Sequence, residues 1–314
     1  MAVYTHITQE ALRDFLSSYA IGELKHFEGI KEGTENTNYR LITNQGRFIL
    51  TLFEKRTHQE DLPYFIALMR HAGSKNILCP YPMADRSGEV LKSMQERPTA
   101  IFSELEGSIE NEPTKTQCHE VGMLLARFHQ ATADFSGHRS NGLWLGNLLR
   151  LVDEIDAKAD KIETGLAQEL RGEIDFLEHH WPRHLPQGTI HADLFPDNIL
   201  WKGNALTGML DFYFSCSDIL AYDLAICING WCFSNDRHFQ TAYARAMIDG
   251  YESIRALNHA EHDKLGVLCR GAALRFLVTR LHDLFFAPAS ALTKKRDPVE
   301  YLRKNRYFQA HDIF

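Results

Sequence analysis

No uninterrupted apolar run of about 18 residues occurs in this 314-residue chain. The nearest approach, Gly271 to Leu292, is broken by Arg275, Arg280, His282 and Asp283, which excludes an ordinary membrane-spanning helix. Thr8, Glu10, Arg13 and Asp14 stand where a secretory leader needs apolar residues. Basic residues are too few to dominate: 34 Lys and Arg against 41 Asp and Glu give a net charge of −7. That argues against a nucleic-acid surface, where clustered cations are needed. The six cysteines (Cys79, Cys118, Cys216, Cys227, Cys232, Cys269) contain no CxxC pair, so free thiols in a reducing cytoplasm are expected, rather than a metal site or a disulfide framework. Internal repeats and low-complexity tracts are missing too. The composition, 44% hydrophobic and 24% charged, is that of an ordinary globular chain, long enough for two domains.

The texture changes along the chain. Residues 8–21 have the periodicity of a helix capped by Thr8, with Leu12, Phe15, Leu16 and Tyr19 on one face and Gly22 as its stop. Asn36–Thr43 and Arg47–Phe53, joined by Asn44-Gln45-Gly46, predict a hairpin. A helix through Leu62, Phe65, Ile66 and Met69 follows, then strands at Val90–Leu91 and Ala100–Leu105. Beyond Glu106-Gly107 the pattern becomes mainly helical. Pro113 suits a first helical turn, Val121, Leu124, Leu125 and Phe128 form a buried stripe, 136–150 has the composition of a loop, and 163–181 is helical. Short strands at 188–191, 199–201 and 208–212 interrupt the helices, which resume from Asp218. The expectation is an α+β protein with a small antiparallel-sheet lobe over 1–106 and a larger helical lobe over 107–314.

The chemistry concentrates in Gly188-Thr-Ile-His-Ala-Asp-Leu-Phe-Pro-Asp-Asn-Ile-Leu-Trp201 and Gly208-Met-Leu-Asp-Phe212, which reduce to His191-x-Asp193-x4-Asn198, a hairpin, and Asp211. Phosphoryl transfer to an alcohol needs a carboxylate to orient the hydroxyl and take its proton, and hard oxygen ligands for divalent cations. Asp193 suits the first task; Asn198 and Asp211 suit the second. Alone, each also suits a bland role as turn residue, loop cap or strand-end hydrogen bonder. Their fixed offsets between buried-type runs favour catalysis. His191 suits bracing of the loop, and Asp197 a solvated position after Pro196.

These residues resemble the catalytic loop of the aminoglycoside phosphotransferase and choline kinase group, a branch of the protein-kinase-like fold. The likeness continues through Asp218-Ile-Leu-Ala-Tyr-Asp-Leu-Ala225, where Asp223 matches a buried scaffolding carboxylate at a helix start. It spans nearly the whole chain and implies the two-lobed fold, with ATP and Mg²⁺ as cofactors. Glu32-Gly-Thr-Glu-Asn-Thr-Asn-Tyr39, Phe48-Ile-Leu-Thr-Leu-Phe-Glu54 and Ile228-Asn-Gly-Trp-Cys232 are similar to the bacterial branch that phosphorylates the side-chain hydroxyl of L-homoserine, a step towards threonine. The acceptors left beside it are choline or ethanolamine, an aminoglycoside or a sugar; a catalytically inactive nucleotide-binding module is the alternative of another class.

The chain departs from the wider pattern in its first lobe. The phosphate-covering turn has one glycine, Gly33, with Thr34 and Asn36 as further phosphate contacts. Thr51 stands where the superfamily carries a strand lysine, so another cation or the metals must compensate for that charge; Lys31, Lys55 and Arg56 are nearby in sequence. Glu60 or Asp61 would be the acidic partner of the absent lysine. The resemblance implies that Ser103, Glu104 and Leu105 meet adenine through backbone groups. Arg139, Arg237, Arg275 and Arg280 are open choices for an acceptor carboxylate, and Asp218, Asp236 or the carboxylates of the catalytic loop for its ammonium group, with Trp231 and Tyr213 as pocket walls.

Overall fold

The structure, a computed structural model, describes residues 5–30, 36–54, 58–110, 112–234, 238–287 and 296–312. It divides into two compact units: Met1–Ser108 with Leu200–Tyr213, and Ile109–Ile199 with Phe214–Ala291 and Lys295–Phe314.

The first unit is built on a five-stranded antiparallel sheet. Helix α1 (Gln9–Leu16) starts at Thr8, whose hydroxyl accepts the Ala11 N–H at 3.2 Å. It ends before the expected residue 21, where the Ser17 hydroxyl donates back to the Asp14 carbonyl at 2.6 Å. Strand β1 (Leu24–Gly29) was not foreseen; it is a polar, half-exposed edge strand whose Leu-Lys-His-Phe-Glu-Gly lacks apolar alternation. β2 (Thr37–Thr43) and β3 (Arg47–Leu52) form the expected hairpin, with Asn38 opposite Thr51 and Leu41 opposite Phe48. Along β2 the odd-numbered residues Thr37, Tyr39, Leu41 and Thr43 are buried, the period-2 signature of a strand with one covered face.

Helix α2 (Leu62–Ser74) buries Leu62, Phe65, Ile66 and Met69 as expected. β4 is Lys92–Met94 rather than Val90–Leu91, because Gln95 and Glu96 both take positive φ (52° and 59°) and the tight turn they form fixes the register of β4 on β5 (Arg97–Ser103). The sheet order is β1-β2-β3-β5-β4. Leu12, Leu16, Tyr19, Leu41, Leu50 and Ile101 form its core.

The second unit is mainly helical. α3 (Lys115–Ala131) begins after Pro113 rather than on it, since Thr114 and Gln117 close a reciprocal capping box. α4 (Leu145–Ile155) corrects the expected loop over 136–150: Leu145, Leu148, Val152 and Ile155 bury one helical face despite the Gly and Asn around them. α5 (Leu166–His180) leads to β6 (Gln187–Ile190). β7 (Ile199–Lys202) and β8 (Ala205–Met209) make a hairpin that from Leu200 onward belongs to the first unit, and β9 (Cys216–Ile219) pairs antiparallel with β6 before α6 (Leu220–Trp231). α7 (Thr241–Glu252), α8 (His259–Phe286) and α9 (Pro298–Ala310) complete it; α9 was not foreseen.

α3 and α7 approach through small residues on both sides. A Cβ on Gly122 would lie 2.0 Å from the Met247 carbonyl oxygen, and one on Gly250 would lie 2.1 Å from that of His119. α6 is buried around nearly its whole circumference and α8 runs beside it, so Asp223 and Asn229 of α6 and Arg275 of α8 sit in the core. All six cysteines are buried free thiols. Among the described residues no helix is long and apolar enough to cross a membrane.

Candidate active site

In the second unit β6 delivers the chain to His191, and the loop 191–198 closes in a single 3₁₀ turn over Pro196–Asn198. The loop is held mostly by its backbone. Asp223, in the first turn of α6, is fully buried and accepts the His191 N–H at 2.6 Å and the Ala192 N–H at 2.8 Å. Its third donor is His129 of α3, whose Nε2 lies 3.0 Å from Oδ2. An ionised carboxylate only accepts, so Nε2 carries a proton, and Nδ1 on the far side of the ring lies 2.8 Å from the Tyr251 hydroxyl. Burial alone would push the Asp223 carboxyl up. The His129 hydrogen bond first, and then the His191 backbone donor, outweigh it and hold the carboxyl below its ordinary value. Deeper along the loop, the Leu194 carbonyl accepts the Trp231 indole N–H at 2.8 Å.

Ala192 has φ +64°, in the left-handed region that costs a non-glycine residue about 1–2 kcal/mol. Asp193 follows it, part-exposed, and its N–H donates to His191 Nδ1 at 3.3 Å. Asn198 turns its Nδ2 to Asp193, donating to the backbone oxygen at 2.8 Å and to Oδ2 at 3.3 Å. The five-residue spacing thus brings Asp193 and Asn198 together. His191 is fully buried, with its ring edge-on to Phe128. Asp197 is partly exposed and pairs with Arg296.

Asp211 belongs to the first unit. It follows β8 with φ +60° and precedes a 3₁₀ turn whose Phe212 is fully buried. Tyr213 packs edge-on against Phe53 and Phe65, which anchors the segment. The hairpin is tied down by the Met209 N–H on the Leu78 carbonyl (2.8 Å) and the Thr207 hydroxyl on the Glu106 carbonyl (2.6 Å).

The nucleotide-side residues of the first unit are varied. Gly33 and Thr34 lie outside the described residues, as do Lys31, Lys55, Arg56, Asp236 and Arg237. Asn36 is buried, its Oδ1 accepting the Glu54 N–H at 3.1 Å. Thr51 is buried and donates to Asn38 Oδ1 at 2.8 Å. Ser103 exchanges hydrogen bonds with Tyr81: its Oγ accepts the Tyr81 N–H, and its own N–H donates to the Tyr81 carbonyl, both at 2.9 Å. The Glu104 N–H donates to the Arg47 carbonyl at 3.2 Å, while its carboxylate takes Arg40 and Arg47. Leu105 packs on Gly208, where a Cβ would lie 2.5 Å from Leu105 Cδ1.

Of the arginines considered for an acceptor carboxylate, Arg139 donates to the Ser215 carbonyl and Arg280 pairs with Glu300. Arg275 is buried under the catalytic loop with Nη1 on the Ala192 carbonyl at 2.8 Å. Asp218 accepts Asn141 Nδ2 at 2.7 Å, and its burial pushes its carboxyl up. Neither His129 nor the loop-facing role of Arg275 was anticipated. The available signals were a histidine directly after the Val121–Phe128 apolar stripe and a single arginine between Leu274 and Phe276 in an otherwise apolar window.

The phosphotransferase enzyme family model matches residues 26–257, and the chain belongs to that family. It is 50% identical over 309 residues to a homoserine kinase of Rhodopseudomonas palustris, covering 98% of this chain and 95% of that one. The identity is 47% over 307 residues to a homoserine kinase of Agrobacterium fabrum, at the same coverages. Among solved structures, an amicoumacin kinase in complex with AMP-PNP, Ca²⁺ and Ami superposes with a TM-score of 0.71 at 14% identity, covering 98% of this chain and 95% of that one. A choline kinase from Streptococcus pneumoniae gives 0.67 at 16%, covering 96% and 99%. The fold is thus the two-lobed, kinase-like α+β fold that the catalytic-loop pattern led us to expect.

Proposed function

We propose that the chain transfers the γ-phosphoryl group of ATP to the side-chain hydroxyl of L-homoserine, giving O-phosphohomoserine and ADP. The observation that carries this reading is near-full-length identity of about one half to homoserine kinases, together with a loop that pairs Asp193 with Asn198. Asp193 accepts a hydrogen bond from the acceptor hydroxyl and takes its proton as the new O–P bond forms and the bond to ADP breaks. His191 braces Asp193 through the latter's N–H and takes no part in proton transfer.

Asn198 and Asp211 supply an amide oxygen and a carboxylate, a donor set that suits a hard divalent cation, and we assign them to Mg²⁺. Asn198 fits this because its nitrogen is committed to Asp193. When bound, the cation neutralises charge on the β- and γ-phosphates. On the nucleotide side we assign Gly33, Thr34 and Asn36 to the phosphates, with Thr51 on the adjoining strand. Ser103 and Glu104 already use their amides inside the sheet, so contact with adenine at the 103–105 segment falls to Leu105. The reaction would run in the cytoplasm, which suits six reduced thiols.

The test is coupled ADP release with homoserine, serine, choline, ethanolamine, a sugar and an aminoglycoside side by side. Homoserine is expected to give the highest kcat/KM. Asp193→Asn should lower kcat by about 10²–10⁴-fold with far smaller changes in KM. An unchanged rate in that variant removes Asp193 from the proton-transfer role.

A further inference from the structure

Arg275 lies in the middle of α8 and is only 2% exposed. Its guanidinium carbon sits 4.7 Å from the Phe276 ring centroid and 5.6 Å from that of Phe214. Nη1 donates to the Ala192 carbonyl at 2.8 Å, the Tyr222 hydroxyl lies nearby, and Nε is buried without a hydrogen-bond partner among the described residues. Asp218 is within electrostatic reach. Stability alone does not account for this residue, since well-packed apolar side chains commonly replace buried charges without loss. The place where its hydrogen bond lands does.

Ala192 immediately precedes Asp193 and holds a left-handed backbone that its Cβ disfavours. Two buried side chains grip it from opposite ends: Asp223 takes its N–H and Arg275 takes its C=O. That carbonyl belongs to the same rigid peptide plane as the Asp193 N–H. Turning the plane would carry the Asp193 N–H off His191 Nδ1 and re-aim the Asp193 side chain. We infer that Arg275 is a positioning residue for Asp193: its bond to the Ala192 carbonyl locks the peptide plane that aims the catalytic carboxylate. Lysine, with one point charge and no planar fork, fills this position poorly. The inference rests on the assignment of Asp193 above.

Full-length Arg275→Met and Arg275→Lys, each alone and combined with Ala192→Gly, test it. Glycine adopts the left-handed conformation freely, so it lowers the need for the grip without restoring any packing lost with the arginine. Arg275→Met is expected to lower kcat about 30–100-fold while KM for ATP and homoserine stays within about threefold. Arg275→Lys should lose less. Ala192→Gly in the Arg275→Met background should recover at least about fivefold in kcat, relative to the effect of Ala192→Gly alone. A kcat within about twofold of the unmodified protein, or a loss that glycine does not relieve, overturns the proposal.

Hydrogen exchange at the Ala192 and Asp193 amides supplies a readout independent of the acceptor. Exchange should quicken in both arginine variants and slow again with glycine; unchanged protection overturns the inference. If Arg275→Met does not fold, as judged by far-ultraviolet circular dichroism, Arg275→Lys carries both measurements. Failure of the unmodified protein to phosphorylate homoserine defeats the functional reading separately, and the exchange data then decide the positioning role.

Discussion

Two carboxylates, one in each unit, accept three hydrogen bonds apiece and do different work. Glu104 in the first unit takes Arg40 Nε at 2.7 Å and Arg47 Nε and Nη2 at 2.7 and 3.1 Å. Those guanidiniums are 34% and 56% exposed, so water competes for every bond. Asp223 in the second unit takes two backbone amides and a histidine, and both it and His129 are 0% exposed. The first arrangement tethers flexible side chains to one another. The second fixes the course of the main chain at the residues that precede Asp193. Equal counts of hydrogen bonds therefore conceal unequal consequences, and the decisive variable is whether the donors have water as an alternative.

Asp223→Asn must turn an NH₂ towards at least one of the three donors that now meet a carboxylate oxygen. A loss of about 3–5 kcal/mol is expected from such a disrupted buried charge, measured by urea unfolding, with kcat falling as the loop loosens. A cost below about 1 kcal/mol would put Asp223 in the same class as a surface pair.

Asp85 in the first unit falls between the two cases. It accepts the Ser87 and Glu89 N–H groups at 2.9 and 3.0 Å, like Asp223, and also Lys92 Nζ at 2.7 Å, an ion pair as at Glu104. Lys92 first, and then Ser87, hold its carboxyl well below the ordinary range. A depressed folded value means that its contribution is complete above the unfolded value near about 3.9 and is lost as the pH falls towards the folded one. The Tm difference between the unmodified protein and Asp85→Asn should therefore be constant between about pH 8 and 5 and shrink below about pH 4. A difference that shrinks between pH 8 and 6 would point to another group.

Legibility in the sequence followed the same divide. Hydrophobic period and motif spacing sufficed for the hairpin of β2 and β3, for α2, α3 and α8, and for the pairing of Asp193 with Asn198, because each depends on residues close in sequence. β1 escaped because an edge strand has only half a covered face and its residues show no apolar alternation. α4 was obscured by Asn141, Gly142, Gly146 and Asn147, whose local turn preference yields to a buried face of four apolar residues. The grip on Ala192 could not be seen as a unit, since its members are separated by 31 and 83 residues and meet only through tertiary packing. Arg275 was accordingly considered for substrate when its partner is the backbone.

The smallest effect belongs to Glu104, and it sharpens the contrast from the weak side. Glu104→Gln removes the charge but keeps an acceptor for Arg40 or Arg47, and both arginines regain water on the exposed side of the sheet. A destabilisation of about 0.5–1 kcal/mol is expected in low salt, since Glu104 is the less exposed partner and binds two cations at once. Because the Debye length shrinks to about 3 Å at 1 M salt, most of that difference should vanish there, whereas the Asp223→Asn deficit should persist. KM for ATP is the second readout. If the 103–105 segment meets adenine through backbone groups, Glu104→Gln leaves KM within about twofold, because β5 and its ladder on β3 hold the main chain without the side chain. A salt-resistant loss of stability, or a tenfold rise in KM, would mean that Glu104 fixes local backbone as Asp223 does, and the distinction between the two units would then rest on Asp223 alone.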